Sequence, residues 1–347
     1  MSESFDDLLN VEAVPQNDKR AAFIAESKNN RNRCYEMMGQ MTQEVSTDDA
    51  MFQKYLDTQS RFDRYTTTNV LLIMSQRPDA QKIGAYGYWK DHGAYIKRQE
   101  TPILILEPGR EYPREDGTIG TYYNAKKVFD ISQTTMGNRI QQEPETEIGE
   151  RELLKALVSN PPASIQILSE EQLREHPLPI NAGAEFSVED NCIYVRQGMS
   201  AEDIFLSVVP ELVHAGFADG NEDYRREDYS FHAYCASYML CKKYGIDVSD
   251  YDFSNAPEYF EGMETQEVRA ELKQVRDAAN AISARMEKVL APIRNQSRQD
   301  ASQQAQENPF TQSRQNPQDR MQTRQNFDGQ PQSGQKSKPQ RNWEAGR

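Results

Sequence analysis

The sequence predicts an α+β fold in two domains, each built from helices and a small sheet, followed by a disordered C-terminal tail. Three observations predict it. Apolar residues recur at helical spacing over 18–58 and 150–290, two β-prone runs flank a turn-rich loop between 103 and 132, and composition shifts near 136–149 and again at 293. The 347 residues accommodate two domains at about 100–200 residues each. We expect a flexible N-terminus at 1–18, domains at 19–135 and 150–292, a linker at 136–149 and a tail at 293–347.

Charge follows the same divisions. The formal net charge of −14 is the sum of −3 over 1–135, −15 over 136–291 and +4 over 292–347. The tail is rich in Gln, Arg, Asn and Pro with almost no aliphatic side chains, so it has little apolar surface to bury against the entropy of ordering. A sequence pI near 4.9 argues against coating nucleic acid by bulk charge. No apolar run approaches the roughly 18 residues of a membrane span. The acidic start, MSESFDDLLNVE, lacks a signal-peptide pattern. Cysteines 34, 192, 235 and 241 form no CxxC pair, which fits a reduced, cytoplasmic protein.

The first region opens with helical patterning from Asp18 to about Met41. Asp48 or Asp49 can cap a second helix reaching about Thr58. The apolar run in Asn69–Ser75 stops before Pro78. A strand at Ile103–Leu106, closed by Pro108-Gly109, leads through REYPREDGTIG to a second strand, TYYNAKKVFDIS, as in a hairpin. Between Arg61 and Arg98 stand seven cations, Arg61, Arg64, Arg77, Lys82, Lys90, Lys97 and Arg98, against Asp63, Asp79 and Asp91. Phe62, Tyr65, Tyr86, Tyr88, Trp89 and Tyr95 are interleaved with them. Single-stranded nucleic acid is held this way, cations following phosphates while rings stack on bases. The same residue types also fill cores and line ordinary surfaces.

The order RFDRYTTTNVLLIMSQRPDAQKIGAYGYWKDHGAYIKRQETPILILEP resembles the N-terminal domain of ArdC-type antirestriction proteins. Its elements are an aromatic–Arg/Tyr–x–Asn–x–Leu-Leu helix, a Gln-x-Pro, a Gly-x-x-x-Trp segment, a basic turn and a strand ending in Pro. The resemblance covers about residues 20–135 and implies a single-stranded-DNA-binding domain using Arg64, Tyr65, Asn69, Trp89, Lys97 and Arg98. Arg61, Tyr88 and Lys90 of the same strip complete the candidate DNA-binding set. The family's Lys-Gly turn reads Arg98-Gln99-Glu100 here, which puts close backbone approach to phosphate in doubt.

The second region starts with a helix over 150–159, ended by Asn160-Pro161-Pro162, and a strand, ASIQIL. A second strand, CIYVRQG, precedes a helix capped by Ser200, AEDIFLSVVPELVHAGF. After the polar loop ADGNEDYRRED comes the helix YSFHAYCASYMLCKKYG, with Gly245 as its stop signal. A last amphipathic helix, Thr265–Leu290, aligns Val268, Leu272, Val275, Ala279, Ile282 and Met286 on one face.

Two residues in the Ser200 helix invite a metal reading. In H-E-x-x-H, two His one turn apart share a zinc ion and the Glu activates its water. The pentad here is Pro210-Glu211-Leu212-Val213-His214, with Pro at the first ligand position. The order around it resembles the C-terminal peptidase-like domain of ArdC-type and LtrC-like mobile-element proteins. That resemblance implies a zincin-like domain with Glu211 as a vestigial catalytic base and His214 as a vestigial ligand. The family's third ligand, a Glu on the following helix, aligns with Tyr234, and His232 lies two residues before it. Proline offers no lone pair, so no cofactor is expected, and zinc would need a rearranged set that recruits His232, Cys235 or Glu211.

The combined expectation is a single-stranded-DNA-binding protein of a conjugative or other mobile element, antirestriction or transfer-associated, with a catalytically degenerate second domain. Its partners would be single-stranded DNA and a host restriction or transfer-machinery protein. The alternatives are a zinc-dependent hydrolase with a non-standard ligand set and an acidic protein that binds a host factor. The GxxxxGKS, GxGxxG and GxSxG motifs are absent from the sequence.

Overall fold

Side-chain caps fix where the N-terminal helices begin. The Asp48 carboxylate accepts from the Met51 amide at 2.9 Å and starts α2, Asp49–Arg61. Thr66 does the same for α3, Thr67–Gln76, which ends on Arg77 just before Pro78. Ahead of them, α1 spans Gln16–Thr47, longer at both ends than the periodicity suggests. The computed structural model describes residues 16–114, 117–137, 148–179 and 181–307. The expected N-terminal segment up to 15, most of the linker and the tail from 308 lie outside the described residues.

Two three-stranded sheets complete an α+β protein. The first has the order β1-β3-β2, all antiparallel, from Ile83–Gly84, Ile119–Asp130 and Ile103–Pro113. Between β1 and β2 lies the short helix α4, Tyr86–Asp91. Strand β2 does not close at Pro108-Gly109 as expected. A register shift after Pro108 places Gly109 and Arg110 opposite the single residue Tyr122, and pairing resumes from Glu111↔Thr121 through Pro113↔Ile119. Gly109 permits this, because a Cβ there would meet the Asn124 side chain at 2.5 Å.

The second sheet has the order β4-β6-β5, from Ser164–Leu168, Cys192–Arg196 and Ala184–Ser187. β4 runs parallel to β6 and β5 antiparallel to it. The sequence reading missed β5, whose AEFS is short and flanked by polar residues. α5, Glu150–Leu157, precedes this sheet, and the one-turn α6, Gln172–Glu175, lies within it. α7, Ala201–Ala218, follows with Ser200 accepting from the Asp203 amide at 3.1 Å. It continues through Pro210. α8, Arg226–Tyr244, stops on Gly245 at φ 75°. After the one-turn α9, Ala256–Tyr259, α10 runs from Thr265 to Glu307. The tail expected from 293 therefore begins as helix, since Gln, Arg and Ala favour helix even where nothing apolar is available to bury.

Residues up to Pro292 form one compact unit, and those from Ile293 form another. Within the first unit a single apolar cluster draws on α1–α3, both sheets and α7–α10. Phe52 of α2 packs its ring 5.5 Å from both Phe253 and Phe260 and 5.6 Å from Phe231 of α8. Polar contacts tie the same elements. The Tyr238 hydroxyl donates to Asp57 at 2.8 Å, and Lys243 donates to Asp63 at 2.6 Å. On α10, Arg276 Nε donates to the Tyr65 carbonyl and Asn280 to the Asp63 carbonyl, both at 2.8 Å.

Candidate functional site

The segment 82–98 wraps the end of β3 and is anchored by Trp89. That side chain is 2% exposed, donates from its indole nitrogen to the Phe129 carbonyl at 2.9 Å, and packs with Ala94 and Ile131. Anchoring the centre of α4 leaves its neighbours outside: Tyr86 and Tyr95 are each 58% exposed, and Tyr88 is 36% exposed. Lys82, Lys90, Lys97 and Arg98 are exposed beside them. Lys82 Nζ sits 5.9 Å from the centre of the Tyr88 ring, and Lys97 Nζ donates to the Ser132 carbonyl at 2.8 Å. Among the described residues none of these four cations makes a salt bridge.

Two of the residues marked by the resemblance take other roles in this structure. Trp89 offers no ring face to a base, because burial in the small cluster at the end of β3 covers it. Asn69 is 8% exposed and spends its amide on β2, donating to the Leu106 carbonyl at 2.9 Å and accepting from the Leu106 amide at 2.8 Å. Both position the strip and do not project from it. Tyr65 is half-buried, with its ring against Phe62 and its hydroxyl 3.5 Å from the Ile83 carbonyl. Burial raises its pKa. Arg61 donates to the Pro78 carbonyl at 3.1 Å, while Arg64 is exposed. Lys90, Lys97, Arg98 and Tyr88 thus share the surface of segment 82–98. Tyr86, Tyr95 and Lys82, outside the candidate set, share it too, and their signal was the same alternation of rings and cations.

The departure at Arg98-Gln99-Glu100 has a structural counterpart. Gln99 adopts φ 64°, the left-handed conformation that glycine reaches without strain. Glu100 is turned to its own neighbours: it accepts from Gln133 at 2.9 Å and lies 3.9 Å from Arg77.

The pentad on α7 lies against β5 and the start of α8. Glu211 is 4% exposed and accepts three N–H groups: the Phe186 backbone amide of β5 at 2.8 Å, and Arg226 through Nη1 at 2.8 Å and Nη2 at 2.6 Å. The carboxylate in turn raises the Arg226 pKa. His214 is 3% exposed with Nδ1 2.9 Å from the Tyr224 hydroxyl. Burial, helped by the Arg226 charge and opposed by Glu211, lowers its pKa to about 4, so the imidazole is neutral near pH 7. The Tyr224 hydroxyl is pushed up to about 12, mainly by burial, and stays protonated.

This arrangement does not fit a zinc ion. Pro210 supplies no ligand and a guanidinium already neutralises Glu211, so His214, whose Nδ1 meets Tyr224, is the one side chain of the pentad left to offer a ring nitrogen. Tyr234, at the family's third-ligand position, accepts from the Asp252 amide at 2.7 Å. His232 faces elsewhere, among Phe217, Tyr229, Phe231 and Tyr259. Its Nε2 is 2.8 Å from the Glu271 carboxylate, and its Nδ1 is buried without a hydrogen-bond partner among the described residues. Burial outweighs that carboxylate and lowers its pKa. Cys235 is buried in the apolar core, and burial raises its thiol pKa. Among the described residues no three His, Cys, Asp or Glu side chains converge as a metal site. His232, Cys235 and Glu211 are thus not gathered with His214 into such a group among the described residues. Sequence reading also missed Arg226, whose only signal was one of two arginines in an acidic loop.

No family model matches the sequence, and no curated protein matches it. Two crystal structures of the antirestriction ArdC protein from plasmid R388 are similar to the chain. The metal-free one is 15% identical, with a TM-score of 0.42, over 65% of this chain and 86% of that one. The Mn(II)-bound one is 15% identical, with a TM-score of 0.46, over 72% of this chain and 98% of that one. At this identity and these TM-scores the likeness assigns neither activity nor site residues here. No helix among the described residues is long and apolar enough to cross a membrane.

Proposed function

We propose that this protein binds single-stranded DNA along the surface of segment 82–98. The observation that carries the reading is the exposure of Tyr86, Tyr88 and Tyr95 beside Lys82, Lys90, Lys97 and Arg98, with no carboxylate paired to those cations among the described residues. Exposed rings accept any base by stacking, and unpaired cations exchange counterions for phosphates. Arg64 and Arg61 extend the charge toward the end of α2. The setting we infer, from the order of sequence motifs alone, is a mobile element whose transferred strand is shielded from restriction nucleases. Occlusion needs no catalysis, which agrees with a Glu211 carboxylate engaged by three donors.

The test is titration of the full chain with a labelled oligo(dT) and with its duplex across a salt series. Single-strand binding should weaken as salt rises, with a slope of about 0.7 per phosphate contacted. Replacing Lys82, Lys90, Lys97 and Arg98 together by Ala should flatten that slope by roughly 3. Wild-type binding that is absent at low salt, or unaltered by the quadruple change, rejects the reading.

A further inference from the structure

Away from the strip and from Glu211, a cavity of about 570 Å³ opens between α7, α10 and the Asn160-Pro161-Pro162 loop. That volume lies within the range of small-molecule sites. Its walls are mainly apolar, from Pro161, Leu212, Phe217 and Ile282. Gly216, Ala278 and Ala281 leave the space between the helices unfilled, and a Cβ added at Gly216 would meet nothing within 4 Å. One wall carries a cation. Arg285 Nη1 donates to the Ser159 and Asn160 carbonyls at 2.9 and 3.2 Å, while its Nη2 is buried without a hydrogen-bond partner. Two carboxylates also line the cavity, Asp219 and Asp277. Asp277 is already bound to Lys273 and Arg276, each at 2.7 Å, and no carboxylate pairs with Arg285 among the described residues.

A half-buried guanidinium lining an apolar wall, fixed there by two backbone carbonyls and paired with no carboxylate among the described residues, is matched by an anion with an apolar body. We propose that this cavity binds an amphipathic organic anion, its acidic head on Arg285 and its hydrocarbon or aromatic body along Phe217 and Ile282. The site is independent of the DNA-binding surface.

Decanoate, decanol and inorganic phosphate serve as probes, titrated into the full chain by calorimetry. Decanoate is expected to bind saturably with one site per chain, decanol more weakly, and phosphate not measurably. Arg285→Gln should weaken decanoate at least about tenfold, as for the loss of a charge-assisted hydrogen bond, and leave decanol unchanged. Gly216→Leu fills the cavity from a helical position that favours leucine and should abolish both. Circular dichroism checks that each variant is folded. Should Arg285→Gln disturb the loop it holds, Gly216→Leu decides alone. The proposal is overturned if the wild type takes up no decanoate, or if decanoate affinity survives Gly216→Leu.

Discussion

The strip at 82–98 and the cluster around Glu211 draw on the same kinds of side chain, arginines, tyrosines and a histidine among them, and use them in opposite ways. In the strip the cations stand exposed, and none of Lys82, Lys90, Lys97 and Arg98 makes a salt bridge among the described residues, so their charge is available to a partner. Around Glu211 the charges are consumed by one another: both carboxylate oxygens meet one guanidinium, and the imidazole is held neutral by burial. What a side chain does here is decided by what already faces it and not by its type.

The largest effect that would break this contrast is Arg226→Ala. It leaves Glu211 buried with only the Phe186 amide, and removing one partner of a buried pair should destabilise by about 3 kcal/mol, the low end of the usual range because Arg226 is itself 42% exposed. Urea denaturation measures this. Glu211→Gln with Arg226→Met should recover most of the loss, and an unchanged midpoint for Arg226→Ala would show that the pair is decorative.

Acid probes the same cluster. His214 holds its proton less readily folded, at about 4, than at its ordinary value of 6.5, so the unfolded chain binds more protons between those values. Its contribution to stability is full above pH 6.5 and is lost as pH falls toward 4. His232, also lowered by burial, acts in the same direction. His214→Gln should flatten the pH dependence of the melting temperature across that window.

Asn69→Ala sharpens the other side of the comparison. It strands both backbone groups of Leu106 and should cost about 1–3 kcal/mol of stability. If Asn69 only positions the strip, DNA affinity measured below the melting transition should change little. A large affinity loss with unaltered stability would return Asn69 to the contact set. The smallest effect expected is for Gln99→Gly, which relieves the left-handed strain by roughly 1 kcal/mol and should raise the melting temperature slightly.

Much of the fold was legible. Caps at Asp48 and Ser200, the Gly245 stop and the apolar face of α10 each rest on interactions within a few residues, which a sequence displays directly. The hairpin was legible too, but its length was not, because a bulge at Gly109-Arg110 depends on the partner strand. The candidate site divided in the same way. The alternation of rings and cations marked the strip, whereas the burial of Trp89 and the pairing of Asn69 with Leu106, 37 residues away, are tertiary facts with no local trace. Pro210 told that the first position of the pentad offers no lone pair to a metal. Nothing local told that Arg226, fifteen residues on, would cover Glu211.

The knitting of α2 to α8 and α10 bears on how such a gene can change. Asp57, Asp63 and the Tyr65 carbonyl in the first half are each met by a specific side chain of the second: Tyr238, Lys243 and Arg276. Genes exchange segments by recombination. A crossover between the halves that brought in a distant second half would leave these groups facing strangers across a shared core. The two halves are therefore expected to be inherited as a linked pair, with their lineages tracing the same tree.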